Sequence, residues 1–240
     1  MRYFAKVSYD GTAYAGFQKQ LNALGIQTVI ERAFRLMTQT EIHIHASGRT
    51  DKGVHAIGQC FHFDSDLDLD EKTWLRVNDR LPLDIRILSV KRVSSTFHAR
   101  HSAKSKKYKY IIAKKPSTVF RAKYEVYVKN FDIEPVKEAL PLFTGTHNYK
   151  GFCQYVKGKN PIRTVYAVTL KETKNHYIFT FHANAFLKYM VRSMMGTLIE
   201  IGKHQLKPSV ITEILETQNR KLAGKTAEAR GLYLQRVYYK

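Results

Sequence analysis

Two runs of the chain, residues 42–46 and 54–63, alternate apolar and polar side chains, and only Ser47-Gly48-Arg49-Thr50-Asp51-Lys52-Gly53 stands between them. A repeat of two puts successive side chains on opposite faces of an extended backbone, so both runs read as half-buried strands joined by a loop. Two strands alone are marginal in water and need further strands or a helix over their apolar face. The neighbouring sequence supplies both. Tyr3–Tyr9 has a strand pattern, turned by Asp10-Gly11-Thr12. Thr28 is placed to cap a helix with Val29, Ile30, Ala33, Phe34 and Met37 on its apolar face. A helix over 71–80, capped near Asp70, and a strand over 85–93 complete the set. The order is β-α-β-β-α-β, the ferredoxin-like order.

That order then returns. Lys107–Ala113 is a strand pattern, with Tyr124–Val128 a candidate neighbour. Asp132–Phe143 reads as a helix with Pro135 in its first turn. Val165–Lys171 and His176–Ala183 read as strands, and Leu187–Ile201 as a helix with Met190, Val191, Met194, Met195 and Leu198 on one side. An additional helix over Pro208–Thr217 and a strand over Leu232–Tyr239 follow. The repeat lies in element order and not in residue identity. The expected class is therefore α+β: two ferredoxin-like (RRM-like) subdomains with antiparallel sheets and a basic cleft between them. The polar, basic stretch Val93–Lys106 marks the boundary, giving an N-terminal domain over 1–103 and a C-terminal domain over 104–240.

Charge narrows the partner. Forty Lys and Arg against twenty Asp and Glu leave a formal +20, which calls for a polyanion: nucleic acid first, an anionic membrane surface second. The charge is patterned as well. No acid occurs between Asp84 and Glu125, an interval holding Lys104, Lys106, Lys107, Lys109, Lys114, Lys115 and five further cations beside Arg121. A second acid-free interval runs from Ala139 to Lys171 and contains Arg163. Ordinary soluble surfaces mix both signs. Lys106, Lys107 and Arg163 are accordingly candidates for holding nucleic-acid phosphates. The acids collect in Asp64–Glu71, which lacks the glycine and glutamate a calcium loop needs at its sixth and twelfth positions. With no apolar run of ~18 residues and no signal-like N-terminus, a cytoplasmic protein is expected. The two cysteines, Cys60 and Cys153, offer no disulfide framework and fit a reducing compartment.

The loop between the first two runs carries the chemistry. Its glycines permit a tight turn presenting Arg49 and Asp51 side by side. One reading is a structural turn in which Asp51 caps backbone and Arg49 pairs with it. The other is a carboxylate nucleophile kept ionised by the nearby guanidinium, since an arginine within reach lowers an aspartate pKa by ~1–3 units. Tyr108 and Tyr110 alternate with Lys107 and Lys109, making one strand face aromatic and the other basic. Arg192 lies on an apolar helix side, where an unpaired charge is costly; a carboxylate is its simplest partner, with Asp51 the candidate. His43, His45, Cys60 and His62 have residue types that suit zinc, but their alternation fits ordinary strand histidines better, so no metal is expected.

Gly48-Arg49-Thr50-Asp51 with Gly53-Val54-His55-Ala56 resembles the signature of the TruA-type tRNA pseudouridine synthases. The resemblance continues through Tyr9-Asp10-Gly11-Thr12 and Gly16-Phe17-Gln18, where Phe17 replaces the usual tryptophan. It extends through Phe97-His98-Ala99-Arg100, Lys107-Tyr108-Lys109-Tyr110, Gly145-Thr146-His147-Asn148-Tyr149 and Arg163-Thr164. It ends with Asn184-Ala185-Phe186-Leu187, Met190-Val191-Arg192, Gly196 and Gly231-Leu232-Tyr233-Leu234. The resemblance implies that Asp51 is catalytic, that Tyr108 lies against the target uracil and that Leu232 lines the site. It also implies uridine-to-pseudouridine isomerisation in the anticodon stem-loop at tRNA positions 38, 39 and 40, a symmetric homodimer and no cofactor. On residues alone, an RNA-binding module without catalysis and a thiol-based RNA-modifying enzyme using Cys60 or Cys153 remain alternatives.

Overall fold

The computed structural model describes residues 1–240. Strand β1 (Arg2–Tyr9) has the simplest pattern, with Tyr3, Ala5, Val7 and Tyr9 buried on one face. Helix α1 (Ile26–Thr38) buries Ile26, Ile30, Ala33 and Phe34, the spacing of one helical stripe. Strand β2 (Ile44–Ala46), strand β3 (His55–Asp64), helix α2 (Glu71–Leu75) and strand β4 (Ile85–Val93) follow. β1 runs antiparallel between β4 and β3. The other edge of β3 is shared. β2 pairs with residues 61–63 antiparallel, and the last strand, β10 (Leu232–Tyr238), pairs with His55 and Ala56 parallel. Tyr3, Phe34, Phe63 and Trp74 form the aromatic core here, with Phe63 centred 4.9 Å from Phe34 and 5.0 Å from Trp74. Buried aromatics of this size contribute large apolar areas, and the edge-on Phe63–Trp74 contact adds about 0.5–1.5 kcal/mol.

Three sequence expectations shift. Thr28 does not cap α1: Gly25 does, with no side-chain bond, because its Cα approaches the Gln18 carbonyl so closely that a Cβ would lie 2.4 Å from the oxygen. The 71–80 helix divides, α2 ending at Leu75 and a 3-10 turn covering Arg76–Arg80, where Asn78 is bonded both ways to the Ile87 backbone. Asp70 does cap it, accepting from Thr73 N at 2.7 Å. The alternation of 54–63 is interrupted: within β3 only Ile57 and Asp64 are exposed.

The second unit is built from strand β5 (Ser105–Ala113), strand β6 (Val126–Tyr127), helix α3 (Glu134–Ala139), strand β7 (Gly145–Asn148), strand β8 (Ile162–Glu172), strand β9 (His176–Ala183), helix α4 (Met190–Gly202) and helix α5 (Val210–Thr217). Its strand order is β7-β8-β9-β5-β6, antiparallel except for β5 with β6. β7 was not expected; it is short and held partly by a Thr146–Thr164 hydroxyl bond of 2.8 Å. α4 begins at Met190 and not at Leu187, because Tyr189 adopts a left-handed conformation with φ +62°. Contacts group Met1–Lys104 with Tyr233–Lys240 as one unit and Ser105–Leu232 as the other. The expected boundary had left the final strand in the second domain; its ladder with β3 places it in the first. The chain is mixed α+β throughout, and no helix is long and apolar enough to cross a membrane.

Candidate active site

Asp51 is half-buried on the loop entering β3, and that loop is fixed by the segment after β1. The Tyr9 hydroxyl meets Thr50 Oγ1 at 2.7 Å, and Phe17 N donates to Thr50 O at 3.1 Å. Gly53 N donates to Tyr14 O, and Val54 N to Asp51 O at 3.1 Å, closing a turn around the aspartate. Two glycines make this approach feasible. Gly16 sits at φ +103°, where a Cβ would fall 2.7 Å from Thr50 O; a Cβ on Gly11 would fall 2.1 Å from Val54 O. On the strand side, Ser47 Oγ donates to Gln59 Oε1 at 2.6 Å and Gln59 Nε2 to Gly48 O at 2.9 Å. Buried polar groups therefore grip the loop at both ends. Burial drives the Tyr9 phenol well above its ordinary pKa, partly opposed by hydrogen bonds to Thr50 and Gln59, so it stays a neutral hydroxyl.

His55 is a buried support immediately past the loop. Its Nδ1 accepts from Gly11 N at 3.1 Å and lies 3.0 Å from Asp10 Oδ1, while its ring stacks on Tyr233 of β10 at 4.7 Å. The sequence pattern does not single out His55 or Tyr9; polar residues within an otherwise apolar strand are the signal that marks them. Arg49 is exposed on the same loop.

In the second unit, Tyr108 and Tyr110 share a face of β5 and both are buried. Tyr110 is a core residue: its hydroxyl donates to Glu228 O at 2.9 Å, and its ring lies over Gly231. Tyr108 packs edge-on against Phe186 at 5.1 Å. Leu232 is buried at the start of β10. Arg192 sits in the first turn of α4, where the helix dipole disfavours a cation. Its Nε donates to Ala227 O at 2.7 Å, and its guanidinium lies 5.3 Å from the Tyr189 ring centre. Lys106 and Lys107 are half-buried successive residues of β5, hence on opposite faces. Arg163 is half-buried in β8 and donates to Asn160 O at 3.0 Å.

The histidine and cysteine group takes other roles. His43 is exposed, and His62 Nδ1 accepts from Ala99 N at 3.2 Å beneath the rings of His45 and His98. Burial, then the neighbouring His98, His45 and Arg2, push His62 down to about 4. No group of three or more His, Cys, Asp or Glu is arranged to hold a metal ion. The Cys153 thiol is pushed upward by burial, which disfavours a thiolate nucleophile there.

A family model described as tRNA pseudouridine synthase matches residues 5–102 and 139–240. A protein of Aster yellows witches'-broom phytoplasma called tRNA pseudouridine synthase A is 40% identical over 97% of this chain and 96% of its own length. A Bacillus cereus protein called tRNA pseudouridine synthase A 1 is 41% identical, again over 97% and 96%. One from Oceanobacillus iheyensis, also called tRNA pseudouridine synthase A, is 41% identical over 97% and 94%. Among solved structures, a Cbf5–Nop10–Gar1 complex overlaps 82% of this chain and 54% of its own at 10% identity and a TM-score of 0.34, too loose a likeness to carry an argument.

Proposed function

The chain belongs to the tRNA pseudouridine synthase family, an isomerase family, and from that premise we propose that it converts uridine to pseudouridine in the anticodon stem-loop of tRNA, at positions 38, 39 and 40, with Asp51 as the reacting carboxylate. The observation that carries the assignment to Asp51 is its half-buried place on a loop held by Tyr9, Tyr14, Phe17 and Gln59. A carboxylate held in one geometry is what a group reacting at a flipped-out nucleotide requires.

The reaction breaks the bond between uracil N1 and ribose C1′ and makes one between C5 and C1′. C5 gives up a proton and N1 gains one, so no atom or electron enters from outside. Asp51 attacks C1′, or takes a ribose proton in an elimination; either route needs the ionised form. Arg192 is read as the guanidinium partnering that carboxylate. Tyr108 supports the uracil ring, Leu232 contributes an apolar wall, and Arg49 fills the space left by the flipped base. Lys106, Lys107 and Arg163 meet phosphates, where shape more than base identity is read. Each unit is read as a ferredoxin-like subdomain, and the active form as a cytoplasmic homodimer that binds one tRNA through both subunits. No metal or cofactor is assigned to the reaction.

The test is Asp51→Asn, which keeps shape and removes the charge. Isomerisation of the anticodon stem-loop should vanish while tRNA affinity changes little. Turnover within tenfold of the parent would remove Asp51 from the reaction.

A further inference from the structure

Arg192 is held by a segment with no regular structure. Ala227 O accepts its Nε at 2.7 Å, and Ala227 N donates back to Arg192 O at 2.9 Å. Ala227 belongs to a strap, residues 223–228, pressed onto α4. A Cβ on Gly196 would fall 1.7 Å from Lys225 O, and one on Gly224 would fall 2.6 Å from Gly196 O. Gly224 N also donates to the buried Thr197 Oγ1 at 3.0 Å. One side chain ties the strap from its other end. Arg220 donates through Nη1 to Ala223 O and Gly224 O, and through Nη2 to Thr226 Oγ1, each at 3.2 Å. A guanidinium fork can make these bonds together, and a lysine cannot.

We propose that Arg220 is a positioning residue for the isomerisation: by tying residues 223–226 it fixes the Ala227 carbonyl that sets the direction of the Arg192 guanidinium. This deepens the proposed function and rests on the reading that Arg192 partners Asp51. Ala227 occupies only the Nε edge of Arg192, so the carbonyl orients the group without replacing its partner. Loosening the strap lets the guanidinium turn. The carboxylate would then lose part of the interaction that favours its charged form.

The experiment compares Arg220→Ala, Arg220→Lys, Thr197→Val and Arg192→Gln. Each is measured for single-turnover isomerisation against pH, for tRNA affinity and for melting temperature. Arg220→Ala should slow the reaction about tenfold at neutral pH, with tRNA affinity nearly unchanged, and move the acid limb of the rate profile upward. Arg220→Lys should recover only part of the loss. Thr197→Val removes one tie from the helix side, keeps the hydrophobic volume, and should shift the limb in the same direction, so the proposal stays testable if Arg220→Ala folds poorly. Arg192→Gln should give the largest shift. If Arg192→Gln leaves the acid limb in place, the pairing of Arg192 with Asp51 is wrong. If it moves the limb while folded Arg220 and Thr197 variants keep the parental limb, the strap is merely structural and the inference falls.

Discussion

Removing the Tyr9 hydroxyl isolates the hold on the Asp51 loop. Tyr9 is 4% exposed and Thr50 6%, and their hydroxyls meet at 2.7 Å, so neither has ready access to water. Tyr9→Phe keeps the ring and leaves the Thr50 hydroxyl short of a partner. A buried hydroxyl left unpaired costs about 1–3 kcal/mol, whereas removing both partners is nearly neutral. Tyr9→Phe should therefore destabilise the protein by about 1–2 kcal/mol, and Thr50→Val by a similar amount. The double variant should cost clearly less than their sum, with a coupling of about 1 kcal/mol. Because Thr50 immediately precedes Asp51, Tyr9→Phe should also lower the isomerisation rate at saturating tRNA, leaving tRNA affinity intact. Denaturant unfolding of the four proteins and a single-turnover assay measure both effects. Strictly additive stabilities, with a parental rate for Tyr9→Phe, would refute the claim that this bond holds the loop.

Tyr108→Phe should keep most activity and Tyr108→Ala should lose it, because stacking needs a ring and is worth about 1–3 kcal/mol per base; equal rates for the two variants would dismiss stacking. His62 is depressed to about 4, so the unfolded chain takes its proton first as pH falls; this contribution to stability is complete above about 6.5 and is lost toward 4. His62→Gln should flatten the melting-temperature profile in that window, and an unchanged slope would contradict it. Reversing the charge of Lys106 and Lys107 should weaken tRNA binding and reduce its salt slope by roughly 0.7–0.9 for each phosphate no longer neutralised. A parental slope in a salt titration of the double variant would place this pair outside the RNA path.

Strong periodicity made much of this molecule legible. β1, β4 and β9 follow their runs closely because each packs in a simple alternating or continuous apolar pattern. β7 escaped notice because Gly-Thr-His-Asn has no apolar repeat; the strand exists through pairing with β8. Thr28 looked like a cap because side-chain preference favours it, yet close backbone contact at Gly25 decides where α1 starts. In the Asp51 loop, the motif gave the position of the carboxylate but not the network beneath it. Tyr9, Gln59 and His55 are polar residues at buried positions, and sequence cannot tell which distant atoms satisfy them. The strap over α4 is invisible for a similar reason: the side chains of Arg192, Thr197 and Arg220 hold its backbone atoms, and side-chain pattern does not encode which backbone atoms they meet.

The strand pairing of Tyr233 and Leu234 with His55 and Ala56 orders events during synthesis. The ribosome releases the Asp51 loop early, but the ring that stacks on His55 emerges only after the whole second unit. A nascent chain at residue 104 has β3 with its 55–56 edge unpaired, a place where another extended segment could add. The Asp51 loop thus receives this support only once residue 233 has been added, so a chain cut short before it lacks the support.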